Sequence, residues 1–435
     1  MLDDTLLDDP AALRRADHDR ALLALAGSGA RVRTALRLAE AAGLDRLRPD
    51  GRPRAVLVAG HGSALTAGEV LAALAGTASL VAPLPPTDAA PVPRPDRATA
   101  PAAFTAGLAW QLPGWAGPLD LLVISSAAGD ERGLVALAEQ AYARGCAIVV
   151  TAPEGSPLAE AALQVRALPL PFVPSADTSD APAEDDGGGG RGRSAEPDLP
   201  AEDPAALWAH LAPLLALTQK LGVSPLPYDA LAETADLLDA TAVRCRPDAA
   251  AYTNPAKSLA ARLAGTVPLL WAEGQVAGVA AGRFAAQLAE RAGRPALAGV
   301  LPQVLTAHRG MFTGQLGAGA DPDDFFRDRV EEPDPLHLQV LLLRQAAEEA
   351  PAAPGQAGPG AGEASGEQDG GPAEVPADDA RPRSFGTTRA HRLAAAHDVR
   401  LTEYASRRPE PLHALVELIA LTDFAAVYLG LAAQS

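Results

Sequence analysis

The sequence is poor in cysteine, lysine and aromatic side chains. Only Cys146 and Cys245 occur in 435 residues, far apart and without a partner motif. That predicts buried free thiols in a reducing compartment, not a disulfide framework. His18, His210, His337, His391, His397 and His413 show no metal-ligand spacing, so no metal is expected. Lys220 and Lys257 are the only lysines among 36 basic residues. No Gly-rich dinucleotide fingerprint and no nucleotide P-loop is present, so no cofactor is expected. There is no run of 18 uncharged apolar residues, which predicts no membrane span. The start, Met1-Leu2-Asp3-Asp4, is acidic and has no secretory apolar core, so a cytoplasmic protein is expected. Basic charge is also in deficit. A formal net charge of −18 argues against nonspecific nucleic-acid binding and against anionic membranes.

What is present is a 48 % hydrophobic chain long enough for two or three domains. Its clearest stretch is Asp120–Ile124, an apolar run that stops at Ser125-Ser126-Ala127-Ala128-Gly129-Asp130-Glu131. Leu134, Leu137, Ala138 and Ala141 then recur at helical spacing. This predicts a buried parallel strand, a tight loop and a covering helix. The loop falls at the strand's carboxyl end, where open α/β sheets bind ligands. Its amides suit an anion.

The rest of the chain divides into seven segments. Residues 1–50 read as two helices, the first opened by Pro10, serving as a lid or dimer-packing element. Residues 51–172 alternate strand and helix: Ala55–Ala59, the turn Gly60-His61-Gly62-Ser63, a helix from Ala64, then Ser79–Ala82, Asp120–Ile124 and Ala147–Thr151. This order predicts a doubly wound parallel sheet. Residues 173–204 are acidic and Gly-rich, a flexible linker. Residues 205–253 read as a helical connector. Residues 254–345 repeat the α/β plan, with strands at Val267–Trp271 and His337–Leu343, a loop at Ala272–Val276 and a helix at Ala277–Arg291. Residues 346–385 have the composition of disorder. Residues 386–435 close the chain with a short helix, a strand-like Val399–Tyr404 and an apolar helix Pro411–Leu431. That helix is expected to be buried between domains or across a dimer.

Two α/β halves with these loops resemble the sugar isomerase (SIS) fold. Asn254-Pro255-Ala256-Lys257-Ser258-Leu259-Ala260 resembles the run that opens the second half of the bifunctional phosphoglucose/phosphomannose isomerases. Arg283-Phe284-Ala285-Ala286-Gln287-Leu288-Ala289-Glu290 is similar to that family's Arg-Trp-x-x-Gln-Leu-Asn-Glu helix. Leu421-Thr422-Asp423-Phe424-Ala425-Ala426-Val427-Tyr428-Leu429 is similar to its closing helix. The resemblance implies two SIS-type subdomains of the α/β class with helical ends, a homodimer, and a sugar phosphate or sugar derivative as ligand.

It also implies site residues. Aldose–ketose isomerisation needs a carboxylate base at C2, an acid/base for ring opening and a phosphate cradle. The resemblance puts the base at Glu290; the residues by themselves favour a solvated helix glutamate beside Arg291 and Arg294. The ring-opening histidine would align with Thr306; His308, two residues on, is the candidate, and its alternative is a surface loop. Gly60, Gly62, Ser63, Ser125, Ser126 and Gly129 would bind the ligand, although Ser63 also reads as a helix cap.

The sequence departs from the family where its loop has Ser-Tyr-Ser-Gly-Asn-Thr. One hydroxyl remains at Ser126, and Asp130 and Glu131 bring carboxylates that would repel a phosphate dianion. No residue matches the family's lysine after the closing helix or its Pro-Arg pair between the halves. Two readings follow. One is a phosphosugar aldose–ketose isomerase of the glucose-6-phosphate/mannose-6-phosphate type. The other is a catalytically impaired SIS-fold protein that binds a carbohydrate derivative or regulates.

Overall fold

The computed structural model describes residues 4–48, 51–89, 107–175, 202–313, 337–345, 373–374 and 383–433. It contains two compact units, Asp19–Asp239 and Met1–His18 with Ala240–Ser435. The first 18 residues join the second unit, and the division falls within a helix, Ala230–Arg244. The linker predicted at 173–204 and the disorder predicted at 346–385 lie largely outside the described residues.

The first unit is built on five parallel strands: β1 (Ala55–Ala59), β2 (Leu80–Leu84), β3 (Leu121–Ser125), β4 (Ala147–Ala152) and β5 (Leu168–Pro171). Their order is β2-β1-β3-β4-β5. β1 and β3 are buried along their whole length, as expected for continuous apolar runs covered on both faces. Leu57, Ala59, Leu122 and Ile124 share one core with residues of two helices, Arg132–Ala143 and Pro157–Gln164. The opposite face meets the helix Ser63–Ala75, where Gly68 comes so close to Val58 that an added Cβ would lie 3.0 Å from its side chain. The helices Ser28–Ala41 and Ala206–Lys220 pack together in this layer. The first of these belongs to the predicted lid or dimer element; the structure packs it into its own unit. Chain order reverses between β1 and β3, which makes a switch point, and ligands bind outside the carboxyl ends at such crevices.

The second unit has four parallel strands: β6 (Thr266–Glu273), β7 (Leu297–Val300), β8 (His337–Gln345) and β9 (Arg400–Ser406), in the order β9-β8-β6-β7. The two-residue strand Ala373–Glu374 pairs antiparallel with β9. Leu269, Trp271, Val340 and Leu342 point to one face, where they share a core with Val304, Phe312 and Ala390. On the other, the helices α1 (Pro255–Leu263) and α2 (Gly274–Ala292) each pack on α3 (Pro411–Ala433).

Three details differ from the sequence reading. The predicted loop Ala272–Val276 does not exist, because β6 runs through Glu273 and α2 begins at once on Gly274, whose φ is +83°. The short helix extends over Phe385–Ala396. The closing helix is the one described helix long and apolar enough to cross a membrane. Yet every residue from Leu412 to Ala432 is buried, and α3 packs on α1, α2 and strands of its own unit. It therefore offers no exposed apolar face for the expected dimer.

The family-like residues act as packing devices. Asn254 caps α1 by accepting from the amides of Ala256 and Lys257, a contact that contributes about 1 kcal/mol. Lys257 is fully buried and donates to the carbonyls of Pro247 and Ala249 at 2.7 and 2.8 Å. Arg283 on α2 grips Asp423 on α3 through Nε and Nη2 at 2.9–3.0 Å. At Gly430 the helices touch: an added Cβ would lie 2.2 Å from the Arg291 carbonyl oxygen.

Candidate functional site

In the first unit the loops after β1 and β3 flank the switch point. Gly60, Gly62, Ser63, Ser125, Ser126 and Gly129 are brought together there. Gly60 is needed because a Cβ would meet the Ser125 carbonyl oxygen at 2.9 Å. Gly62 has φ +55° and its backbone turns directly into the helix Ser63–Ala75. The Ser63 amide at that helix start donates to Glu202 Oε1 at 2.7 Å. Glu202 thus supplies a cap from 139 residues away. Gly129 has φ +73°, and a Cβ would meet Ser156 Oγ at 2.3 Å.

The decisive feature is Glu131. Asp130 is exposed, but Glu131 is fully buried and turns back into the loop. Ser126 Oγ lies 2.7 and 2.6 Å from its two carboxylate oxygens. The amides of Gly129 and Ala128 donate to Ser126 Oγ at 2.7 and 3.2 Å. His61 Nε2 lies 2.9 Å from Glu131 Oε1. Burial opposes charge on both partners, but their mutual contact wins: the His61 pKa is raised, and that of Glu131 is lowered, with the Ser126 hydroxyl contributing. An ionised carboxylate therefore lies against Ser126 and His61 inside this loop. Glu131 stands at the N-cap position of the helix Arg132–Ala143 but makes no side-chain cap bond there.

Behind this loop, Ser125 Oγ lies 2.8 Å from His210 Nδ1, and the His210 ring stacks on Phe172 at 4.3 Å between centroids. Burial holds the His210 pKa down at about 3, helped by the Arg31 and His61 charges. Its Nε2 has no partner among the described residues. A separate cleft of about 400 Å³, lined by Leu23, Gly27, Arg31, Ala35, Pro171 and Val173 among others, contains none of the predicted site residues.

In the second unit the two predicted residues are apart. Glu290 lies sixteen residues beyond the start of α2 at Gly274, roughly 24 Å along the helix axis. Because α2 runs back antiparallel to β6, this places Glu290 towards the amino ends of the strands. Its carboxylate is about one-third exposed and meets Gln287 Nε2 at 3.2 Å and Arg291 Nη2 at 3.2 Å. His308 instead follows the short helix Val304–Ala307. Its Nδ1 accepts from Trp271 Nε1 at 3.0 Å, near the carboxyl end of β6. Burial lowers its pKa, so near neutral pH the ring is uncharged with its proton on Nε2.

Sequence reasoning passed over a further cluster at this carboxyl edge: Glu273, Arg344, Arg383, His391 and Glu403. Glu403 is buried within β9. Burial raises its pKa, but the His391 hydrogen bond and the charges of Arg344 and Arg383 more than offset this, and the net shift is downward. Its Oε1 accepts from Arg383 Nε at 3.2 Å and contacts His391 Nε2. The available signal was slight: Arg344 next to the end of the apolar β8, and Glu403 in the mixed run of β9. Among the described residues no group of three or more His, Cys, Asp or Glu side chains could hold a metal.

Comparison with known proteins adds to this geometry. The chain has the SIS fold and resembles the phosphoglucose isomerase family. Residues 252–353 match the family model for the bacterial phospho-glucose isomerase C-terminal SIS domain. Among solved structures, a glucose-6-phosphate isomerase from Chlamydia trachomatis is similar at 12 % identity and a TM-score of 0.56, over 99 % of this chain and 80 % of that one. A hypothetical protein from Thermus thermophilus gives 14 % and 0.52, over 98 % and 89 %. The C-terminal domain of glucosamine-fructose-6-phosphate aminotransferase from Francisella tularensis gives 9 % and 0.50, over 95 % and 97 %. At these identities the likeness concerns the fold. No curated protein matches the sequence.

Proposed function

We propose that this phosphosugar-isomerase-like protein binds a sugar derivative at the switch-point crevice of its first sheet, and that the phosphate position there is filled by its own Glu131. The single supporting observation is the buried Glu131 carboxylate against the Ser126 hydroxyl, at 2.6 and 2.7 Å. Two like charges in one cradle repel, and the low polarity of a buried loop strengthens that repulsion. A ligand suited to this crevice carries hydroxyl groups, not a dianionic phosphate, at this loop. Thermal-shift titration separates the cases. Glucose 6-phosphate and mannose 6-phosphate should leave the wild-type melting temperature unchanged. A shift of several degrees with either would overturn the proposal.

Aldose–ketose isomerisation is the second reading, favoured by the family match over 252–353 and by the Arg283–Gln287–Glu290 row on α2. Glu290 would serve as the C2 base and His308 as the ring-opening acid/base, in a homodimer of the cytoplasm. A coupled assay of fructose 6-phosphate formation tests it. Activity that falls at least about a hundredfold in Glu290→Gln supports the reading; activity unchanged by that substitution removes Glu290 from the mechanism.

A further inference from the structure

The cleft of about 400 Å³ in the first unit opens between the edge strand β5, with its continuation to Ser175, and the helices Ala21–Ala26 and Ser28–Ala41. Small residues make the space, with Ala24, Gly27 and Ala30 in the helical wall and Pro171 in the strand wall. Leu23 and Val173, which also line it, are 59 % and 51 % exposed. Large apolar side chains open to water in a hollow of this size mark a ligand site, and a few polar groups in its wall select the ligand. Arg31 is the one charged residue in the described lining, and its side chain is 15 % exposed. Nη1 lies 2.8 Å from Asp203 Oδ2, and Nη2 donates to the Val173 carbonyl at 3.2 Å. Among the described residues these contacts leave the Nε–H without a partner. A guanidinium has five N–H donors, so Arg31 can still donate to a ligand.

We propose that this cleft binds a small uncharged molecule with an apolar body and one carbonyl oxygen, which accepts from Arg31. The site is separate from the switch-point crevice and independent of the function proposed there. The walls supply apolar contact, and burying the ligand's hydrocarbon there is favourable in proportion to the area removed from water. The guanidinium supplies a charge-assisted hydrogen bond to the carbonyl oxygen. Charge then decides the class. Asp203 already balances Arg31 at 2.8 Å. A carboxylate would bring a second negative charge beside Asp203 into an apolar wall, and an ammonium would face the guanidinium. An uncharged acceptor meets neither conflict.

Saturation-transfer NMR titration of the full chain tests the cleft with similar alkyl chains and different head groups: 2-octanone, octanoate and octylamine. The ketone should bind saturably, and the two charged probes at least about tenfold more weakly. Ala30→Trp, at an exposed position in the helical wall, fills the hollow and should abolish binding of the ketone. Arg31→Lys keeps a charge beside Asp203 but loses the planar fork, and should weaken binding about tenfold, the loss of one charge-assisted hydrogen bond. Melting curves confirm that each variant is folded; if Arg31→Lys is not, Ala30→Trp decides. No saturable binding of the ketone by wild type, or binding unchanged in the folded variants, overturns the proposal. Tighter binding of octanoate than of the ketone also overturns it, because Arg31 then selects an anion. Each of these results leaves the crevice of the first sheet, and the function proposed for it, untouched.

Discussion

Ser126 and Glu131 are five residues apart in one loop, and the hydroxyl of the first touches both carboxylate oxygens of the second. The contact closes an internal bond within the loop that the sequence suggested for an anion. In the loop sequence Asp130 and Glu131 look alike, yet one faces solvent and the other is buried.

Removing that carboxylate should reopen the cradle. Glu131→Ala is expected to gain affinity for sugar phosphates that the wild type lacks. At a hundredfold excess over the dissociation constant, ligand adds about 2.7 kcal/mol of stability. Thermal-shift titration with glucose 6-phosphate checks this; no gain in the folded variant would mean that Glu131 is not what bars phosphate.

His210 should impose acid sensitivity. Its pKa is about 3 when folded and 6.5 as the ordinary value, so the unfolded chain takes up the proton first. Its neutral, folded form contributes stability that is fully present above pH 6.5 and is lost as pH falls towards 3, at roughly 1.4 kcal/mol per pH unit. His210→Gln should remove this component. Urea unfolding at several pH values checks the difference between the two proteins; parallel pH profiles would contradict it.

The Arg283–Asp423 pair joins α2 to α3 at side-chain exposures of 3 % and 1 %. Asp423→Asn leaves a buried guanidinium without its counter-charge and should cost about 3–5 kcal/mol. Replacing both by apolar residues, Arg283→Met with Asp423→Leu, should recover most of that loss. Chemical denaturation of the three variants reads the result.

Two glycines should respond oppositely to alanine. Gly430→Ala sets a methyl 2.2 Å from the Arg291 carbonyl oxygen, and prying α2 from α3 should cost about 1–3 kcal/mol. At Gly282, within α2, nothing lies within 4 Å of the added methyl. There alanine should stabilise by about 0.5–1 kcal/mol. Midpoints of urea unfolding distinguish the two.

Much of the fold was legible because its signals are local. Ala55–Ala59 is an apolar run ended by glycine, and the helix after Glu131 shows a clear 3.6-residue pattern. The loop predicted after Trp271 failed because Gly274 lets the strand turn into α2 without a connecting segment. The small-residue loops of the first unit were also readable, since tight turns demand glycine and serine. Their contents were not. Glu202 reaches the Ser63 amide across 139 residues, and no local pattern encodes which way Glu131 turns. Arg344 falls next to the end of an apolar strand and Glu403 in a mixed one, where neither stands out. Only the strand register, which pairs Glu403 with Leu342 and Arg344 with Ala405, puts the two side chains on one face.

Lys257 has its ammonium enclosed by two carbonyls and the Tyr428 ring. Since Lys220 is the only other lysine, acylating reagents find one accessible side-chain amine on the native fold. Among side chains, a fluorophore, biotin or crosslinker applied through amine chemistry should settle at Lys220, beside any reaction at the α-amino group. A second conjugate appearing at Lys257 would report that α1 had come away from α3.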